Sequence, residues 1–393
     1  MAKKEKSVQH PEYVKTPMDR RQFFARIAAA SGIAGAAGYA AWAPENWPLS
    51  LQDKRAPGMR SLISQKPKPI QLKDFRVERA TGVFADMGIS RAERKFDEAG
   101  KPLDFEPEVL QNLLVAAVDQ VGGIKHFIKK GDIVLIKPNV AFDRSPNLGA
   151  TSNPMIVEQM IRMVLDAGAQ EVRVADNPIE APHDCFRKSK IDQAIANGGG
   201  RAYLPDSNSF QVLNTPGAQL IENWYFFHRP FTNVDKVIGI SPVKDHNLCH
   251  ASMGIKNWYG LLGGTRNQFH QDIHGIISDF PLMMKPTLTI LDGTSILMEN
   301  GPTGGDPSNV RKGNVVIASL DMTASDAWAF ENCLERRPED LPVYIQLAVD
   351  KYAKWPSRAR NCSIRTGNSP GVSRKSTFNR KDEGLEECLI RSN

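Results

Sequence analysis

The sequence predicts an α/β fold with an open, mostly parallel sheet and helices on both of its faces. Short, nearly continuous apolar runs alternate with stretches in which apolar residues recur at helical spacing. This alternation is typical of buried strands joined by crossover helices. The chain has 393 residues, of which 41% are hydrophobic and 24% are charged. Such a composition excludes fibrous and disordered proteins and leaves ample residues for a buried core.

The clearest strand–helix–strand unit lies in the first half of the chain. Apolar residues recur at helical spacing over 109–121, and residues 132–136 form a short apolar run that predicts a buried strand. Asn153 and Pro154 suit the cap and the first turn of a helix, and residues 171–175 predict the next strand. Because strand–crossover–strand units are parallel and right-handed, this unit predicts a parallel sheet.

Later elements follow the same alternation with weaker signals. Their predicted strands cover residues 201–204, 236–240, 287–291 and 314–320, and their predicted helices cover residues 191–197, 254–262, 269–285 and 323–333. The sequence shows no repeat of the period that solenoid proteins have. We therefore expect one α/β domain over residues 73–350.

Residues 1–43 have the features of a twin-arginine export signal. Arg20 and Arg21 precede an uncharged run over 27–43 that is rich in Ala and Gly, and paired arginines before a weakly apolar stretch are typical of that signal. We therefore expect the twin-arginine translocase to be a partner and the periplasm to be the destination. The signal is either cleaved after Ala43 or kept as an N-terminal membrane anchor, and the sequence leaves both open.

Two further segments flank the expected domain. Residues 44–72, rich in Pro and Lys, predict a linker, and residues 351–393 predict an irregular tail that is disordered or loosely docked. The formal net charge of +6 resides in the two ends of the chain, whereas the residues between them are slightly acidic in sum. Without a basic stripe in the domain, nucleic acid is excluded as a partner. The five cysteines contain no CxxC pair, so the chain has no iron–sulfur cluster motif of its own.

Polar residues follow four of the predicted strands, at the point where open α/β sheets bind their ligands. In chain order they are Lys137 and Asn139, Asp176 and Asn177, Lys244 and His246, and Asp292. Because the carboxyl ends of parallel strands meet at one edge of a sheet, we expect a ligand crevice there. The alternative interpretation is that these residues simply begin surface loops.

A glycine-flanked segment and a turn-rich loop add candidate binding residues. Lys256, Asn257 and Gly260 lie in a stretch where a lysine can reach a phosphate or carboxylate while backbone N–H groups approach closely. Gly304 lies in a loop that either covers the crevice or is a plain surface connection. The sequence has no Walker motif, no dinucleotide fingerprint and no nucleophile elbow.

Two pairs of histidines have the spacing of metal ligands. His246 and His250 are four residues apart, as are His270 and His274 on a predicted helix. Such a pair on one helical face holds zinc in known motifs, so a divalent metal is a candidate cofactor. Since HExxH is absent, the alternative is that these are ordinary surface or core histidines.

Five short motifs, in order, resemble the domain-of-unknown-function family numbered 362 over roughly residues 130–350. They are Lys137-Pro138-Asn139, the segment from Pro242 to His246, Lys256-Asn257-Trp258-Tyr259-Gly260, Asp292-Gly293, and the loop from Gly301 to Gly305. Asp321 and Asp326 match a later Asp-rich segment of the family. The family includes exported members with twin-arginine signals and chains that close with another amphipathic strand, which residues 351–393 do not resemble. The resemblance implies no particular reaction.

Two hypotheses follow for the expected crevice. In the first, an exported enzyme or cofactor-handling protein binds an anionic or metal-associated ligand there. The candidate catalytic residues are then Lys137, Lys244, His246, Lys256 and Asp292, and the candidate cofactor-binding residues are Asn139, Asn257, Gly260 and Gly304. In the second, a non-catalytic periplasmic binding or cofactor-maturation protein uses the same crevice. Binding and catalysis need the same residue types, so the sequence leaves both open.

Overall fold

The computed structural model of the chain describes residues 68–78, 85–93, 97–100, 106–353, 361–368 and 372–379. The predicted export signal and most of the predicted linker lie outside the described residues. No helix within the described ranges is long and apolar enough to cross a membrane.

The described part of the chain contains twelve strands and nine α-helices. The strands are β1 (Met87–Arg91), β2 (Ile133–Lys137), β3 (Glu171–Ala175), β4 (Arg201–Tyr203), β5 (Phe210–Asn214), β6 (Asn223–Phe227), β7 (Lys236–His246), β8 (His250–Ser252), β9 (Leu288–Leu297), β10 (Val310–Ser319), β11 (Asn361–Asn368) and β12 (Val372–Asn379). The helices are α1 (Pro107–Gln120), α2 (Ile124–Phe127), α3 (Pro154–Asp166), α4 (Pro182–Lys188), α5 (Ile191–Gly198), α6 (Gly254–Asn257), α7 (Ile273–Met283), α8 (Met322–Asn332) and α9 (Val343–Ala353).

The main sheet follows the order β12-β11-β1-β10-β9-β7-β2-β3-β4, and β8 pairs with the end of β7. Strands β9, β7, β2, β3 and β4 are parallel to one another, whereas β10 is antiparallel to both β9 and β1. Strands β5 and β6 form a separate antiparallel pair. The predicted open, mostly parallel α/β sheet is therefore confirmed.

Helices cover both faces of this sheet. Along β2, Val134 and Ile136 pack into a core with residues of α1, α3 and α5, whereas Leu135 packs into a second core with residues of α7 and α9. Successive side chains of a strand point to opposite faces. A strand that is buried on both faces therefore needs a continuous apolar run, which is the signal by which the sequence predicts β2.

Two strands extend beyond the apolar runs that predict them. The run at 236–240 is only the first part of β7, which continues to His246 and pairs there with β8. The run at 287–291 is only the first part of β9, which continues to Leu297 beside β10. Backbone pairing with a neighbouring strand holds these extensions, so they need no apolar run of their own.

The two boundaries of the domain also differ from the prediction. Helix α9 continues to Ala353, and the backbone of β11 pairs in parallel with β1, so part of the predicted irregular tail extends the sheet. The hydrogen bonds between paired strands join backbone groups. The side-chain pattern of residues 351–393 therefore does not predict β11. At the other end, Ile70 pairs with Leu213, so the domain begins within the predicted linker.

Candidate functional site: a cationic pocket

A cavity of about 60 Å³, partly open to solvent, lies at the carboxyl edge of β2, β3 and β7. The predicted site residues that line it are Lys137, Asn139, Lys244, His246, Lys256, Asn257, Gly260 and His270. Asp176 and Arg266 line it as well. Three lysines and one arginine thus share this pocket with a single carboxylate among the described residues.

The base of the pocket contains a buried ion pair. Lys137, at the end of β2, places Nζ 2.8 Å from Oδ1 of Asp176, which follows β3, and both side chains are only 1% exposed. Asp176 also accepts hydrogen bonds from the backbone N–H groups of Val140 at 2.7 Å and Asn177 at 2.9 Å. Burial lowers the pKa of Lys137, and the charge of Asp176 opposes that shift. The carboxylate is therefore already engaged by protein donors on both of its oxygens.

Gly260 makes room for this ion pair. A Cβ atom at position 260 would overlap Oδ1 of Asp176 and would lie 2.9 Å from Nζ of Lys137. Any other residue would have to displace one of two buried charged groups. Steric conflict with the pocket's ion pair thus explains why the Lys-Asn-x-x-Gly segment ends in glycine.

Asn257, on the short helix α6, ties the pocket to the strands. Its Oδ1 accepts hydrogen bonds from Nζ of Lys137 at 2.8 Å and Nδ2 of Asn139 at 3.2 Å. Its Nδ2 donates to the carbonyl oxygens of Lys137 and Ile240, both at 3.2 Å. The amide therefore joins β2 to β7 and has a fixed orientation.

Helix α6 is held in turn by a buried carboxylate from α8. Asp326 accepts hydrogen bonds from the N–H of Gly254 at 2.8 Å and of Ile255 at 3.0 Å. A Cβ atom at position 254 would lie 2.8 Å from Oδ1 of Asp326, so glycine permits this close approach. Burial raises the pKa of Asp326 to about 8.

Lys244, on β7, has only neutral hydrogen-bond acceptors. Its Nζ donates to the carbonyl oxygen of Ala150 at 2.6 Å, lies 3.4 Å from Oδ1 of Asn139, and sits 5.2 Å from the centre of the Phe142 ring. Burial holds the pKa of Lys244 well below its usual value, and the charge of Lys256 lowers it further.

Lys256 is the least engaged of the three lysines. Its Nζ lies 5.3 Å from the centre of the Tyr259 ring, and among the described residues no hydrogen-bond acceptor or carboxylate contacts it. Burial lowers the pKa of Lys256, and the positive charge of Arg266 adds to that shift.

Arg266 is the pocket cation that the sequence does not predict. Its guanidinium donates to the carbonyl oxygens of Asn177 and Pro178, both at 2.8 Å, and of Leu262 at 3.1 Å. These hydrogen bonds hold the loop after β3 in place. A single arginine after a Gly-Gly pair carries no signal for this role, because its partners are backbone groups distant in sequence.

His246 is a neutral hydrogen-bonding group in the pocket. Burial lowers its pKa to about 2, and the charges of Lys256 and Lys244 act in the same direction. Its Nδ1 accepts a hydrogen bond from the N–H of Leu248 at 3.1 Å. In a neutral imidazole the hydrogen must then reside on Nε2, which is left as a donor.

Two of the predicted catalytic and cofactor-binding residues lie elsewhere. Asp292 lies inside β9 and outside the pocket, and it accepts hydrogen bonds from the N–H of Asn153 at 2.7 Å and the Oγ1 of Thr294 at 2.6 Å. Gly304 packs near Leu297 and does not line the pocket, whereas Pro302 of the same loop does. The structure therefore does not bring Asp292 and Gly304 into the pocket with the other predicted site residues.

The four histidines do not form one metal centre. The predicted helix over 269–285 is divided into a 3-10 segment that contains His270 and the α-helix α7 that contains His274, so the two do not share a helical face. His270 contacts Tyr259 in the pocket, whereas His274 stacks on His250, with ring centres 6.5 Å apart. Within the described ranges, no group of three or more His, Cys, Asp or Glu residues is arranged to hold a metal ion.

The fold and the pocket define an open α/β protein with a cationic pocket at the carboxyl edge of its parallel strands. Residues 134–331 match the family described as Domain of unknown function (DUF362), and this chain belongs to that family. A curated relative, the thylakoid-associated protein sll1697 of Synechocystis, is 26% identical over 255 residues, which are 61% of this chain and 74% of the relative.

Two solved structures show distant similarity. A protein from Thermotoga maritima is 12% identical with a TM-score of 0.34, over 48% of this chain and 50% of that one. The lactate racemase apoprotein of Thermoanaerobacterium thermosaccharolyticum is also 12% identical with a TM-score of 0.34, over 61% of each chain. Similarity at this level transfers no activity to the present chain.

Proposed function

We propose that the pocket binds a small anionic molecule, as a carboxylate or a phosphate. The observation that carries the proposal is the imbalance of charge, since four cations, Lys137, Lys244, Lys256 and Arg266, share the pocket with one carboxylate, Asp176, in the part of the chain that the structure describes. Asp176 is already paired with Lys137, so it does not neutralise the others. Crowded, buried cations disfavour one another's charge, and a bound anion would remove that penalty.

Lys244 and Lys256, which have no carboxylate partner among the described residues, are the expected contacts of the ligand's negative group. The positive charge of Lys256 lowers the pKa of Lys244. A negative group placed near both amines would relieve that repulsion. The amide of Asn139 and the Nε2–H of His246 add neutral hydrogen-bonding groups on the same lining. Cationic donors with neutral ones beside them are the groups that protein sites use for carboxylates and phosphates.

The test is ligand-dependent stability of the purified protein. We expect at least one of acetate, pyruvate and inorganic phosphate to raise the unfolding midpoint, because a ligand that binds only the native state stabilises it. Lys244→Met and Lys256→Met should abolish that rise. The matched control is Lys188→Met, since Lys188 is exposed on α4, away from the pocket. If no anion raises the midpoint, or if all three variants respond as the unchanged protein does, the proposal is wrong.

We also propose that residues 1–43 direct the chain through the twin-arginine translocase to the periplasm, after folding in the cytoplasm. The support is the Arg20-Arg21 pair before an uncharged run. Changing both arginines to lysine keeps the charge but removes the guanidinium's fork of donors, so the variant should remain in the cytoplasm. Fractionation of cells expressing each form measures this, and periplasmic protein in a translocase-deficient strain would contradict it.

A further inference from the structure

The three lysines of the pocket differ in what occupies their amino groups. Nζ of Lys137 contacts a carboxylate at 2.8 Å, and Nζ of Lys244 donates to a carbonyl oxygen at 2.6 Å. Nζ of Lys256 lies 5.3 Å from the centre of the Tyr259 ring and, among the described residues, makes no hydrogen bond or ion pair. Of the three lysines, Lys256 is therefore the one whose amino group forms no hydrogen bond with a described residue.

The surroundings of Lys256 favour its neutral form. Burial lowers the pKa of Lys256; the neighbouring Cys249 opposes that shift, and the positive charge of Arg266 adds to it. Desolvation and an adjacent cation are the two means by which proteins convert a lysine into a nucleophilic amine. A lysine that only stabilised the fold would gain more from an acceptor or a carboxylate, and neither is supplied.

We propose that Lys256 forms a Schiff base with the carbonyl carbon of a small 2-oxo acid whose carboxylate is bound beside Lys244. This inference rests on the anion-binding function proposed above and names its ligand class. The Nζ lone pair attacks the carbonyl carbon, and the π-electron pair moves to the oxygen. Both amine hydrogens then leave with that oxygen as water, and a carbon–nitrogen double bond remains. No atom is oxidised or reduced, so the step requires no further reactant.

The neighbouring groups suit such an intermediate. Lys244 has no carboxylate partner of its own, so the carboxylate of a bound 2-oxo acid would favour its charged form, and Asn139, within 3.4 Å of it, supplies an amide. Tyr259 covers the Lys256 amine with a ring whose own hydroxyl is occupied, because it donates to the carbonyl oxygen of Arg266 at 2.6 Å. The Tyr259 hydroxyl is therefore already used and does not serve as an acid beside the amine.

The experiment traps the Schiff base by reduction. The full-length protein is incubated with pyruvate and sodium cyanoborohydride, and the modified lysine is located by peptide mass spectrometry. A lowered pKa increases the unprotonated fraction of the Lys256 amine at neutral pH, and a carboxylate bound nearby holds the ketone beside it, so Lys256 should be labelled several times faster than exposed Lys188. Lys256→Arg, which keeps the charge, should lose the label, and Lys188→Met should retain labelling at Lys256.

A second measurement uses the unchanged protein alone. Acetate has the carboxylate but no ketone, so it should slow labelling of Lys256 by pyruvate and leave the labelling of Lys188 unaffected. If pyruvate raises the unfolding midpoint but Lys256 is labelled no faster than Lys188, the Schiff base is wrong while the anion site stands. If none of acetate, pyruvate and phosphate raises the midpoint and labelling is unselective, both proposals are wrong.

Discussion

In the sequence, a charged residue follows the apolar run of β2, of β3 and of β9 in the same way, but the structures at these positions differ. At β2 and β3 the strands end where the runs end, and Lys137 and Asp176 meet there as a buried ion pair that lines the pocket. At β9 the strand continues through Asp292 to Leu297, and the carboxylate binds the N–H of Asn153 instead. A polar residue after an apolar run is therefore not by itself evidence that the strand ends there.

The two carboxylates also differ in how their charge is compensated. Asp176 has a cation at 2.8 Å as well as backbone donors. Asp292 has only neutral donors, and burial raises its pKa despite them. Removal of the first should therefore affect both stability and the pocket, whereas removal of the second should affect stability alone. Asp176→Asn and Asp292→Asn test that difference directly, and a variant of His246 tests the pocket between them in size of effect.

The largest effect should come from Asp176→Asn. This change leaves the ammonium of Lys137 buried without its carboxylate, and breaking a buried pair from one side costs about 3 to 5 kcal/mol of unfolding free energy. Denaturation in guanidinium chloride measures it. Adding Lys137→Met removes the uncompensated charge and should recover part of the loss. A double variant less stable than Asp176→Asn would show that the ion pair is not the cause.

An intermediate effect concerns pH and His246, whose strand β7 also extends beyond its apolar run. Its pKa is about 2 in the folded protein and about 6.5 in the unfolded chain. Between these values the unfolded chain binds the extra proton, so stability falls as the pH falls. At pH 5 that loss is about 2 kcal/mol relative to pH 7.

His246→Gln should lose less stability than the unchanged protein when the pH is lowered from 7 to 5. Unfolding free energies at both pH values measure the difference, and His183→Gln, at an exposed position on α4, is the matched control. Equal losses in the two variants would contradict a neutral, buried His246.

The smallest effect should come from Asp292→Asn. The amide keeps one acceptor for the N–H of Asn153 or the hydroxyl of Thr294 but cannot satisfy both as the carboxylate does. One lost hydrogen bond costs about 1 kcal/mol. The rise in midpoint on anion binding should remain unchanged, and its loss would return Asp292 to the ligand site.

The parts that the sequence predicts well are those with local causes. Strand β3 matches residues 171–175, and Asn153 caps α3 as predicted, with Oδ1 accepting from the N–H of Met155 at 3.0 Å. Apolar runs and caps are written in neighbouring residues. The meeting of Lys137 and Lys244 in one pocket follows from the parallel strands that carry them, whereas Lys256 reaches the pocket from helix α6.

The rest depends on contacts between distant residues. The extension of β9 needs β10, and without it Asp292 has the same sequence signal as Asp176. Lys244 and His246 reach the pocket although β7 does not end at Ile240, because alternate residues of a strand share a face. Arg266 has partners 88 and 89 residues away, and no local pattern encodes them.

The amide of Asn257 has a consequence for the kinetics and entropy of ligand capture. Its oxygen serves two donors and its nitrogen serves two carbonyl groups, so each of its four hydrogen-bonding positions is taken before any ligand arrives. A ligand that binds above such a base does not have to order it, and the entropy of ordering is lost during folding instead of during association. Association should therefore be limited by diffusion into the opening and by displacement of water, with little rearrangement of the strands beneath.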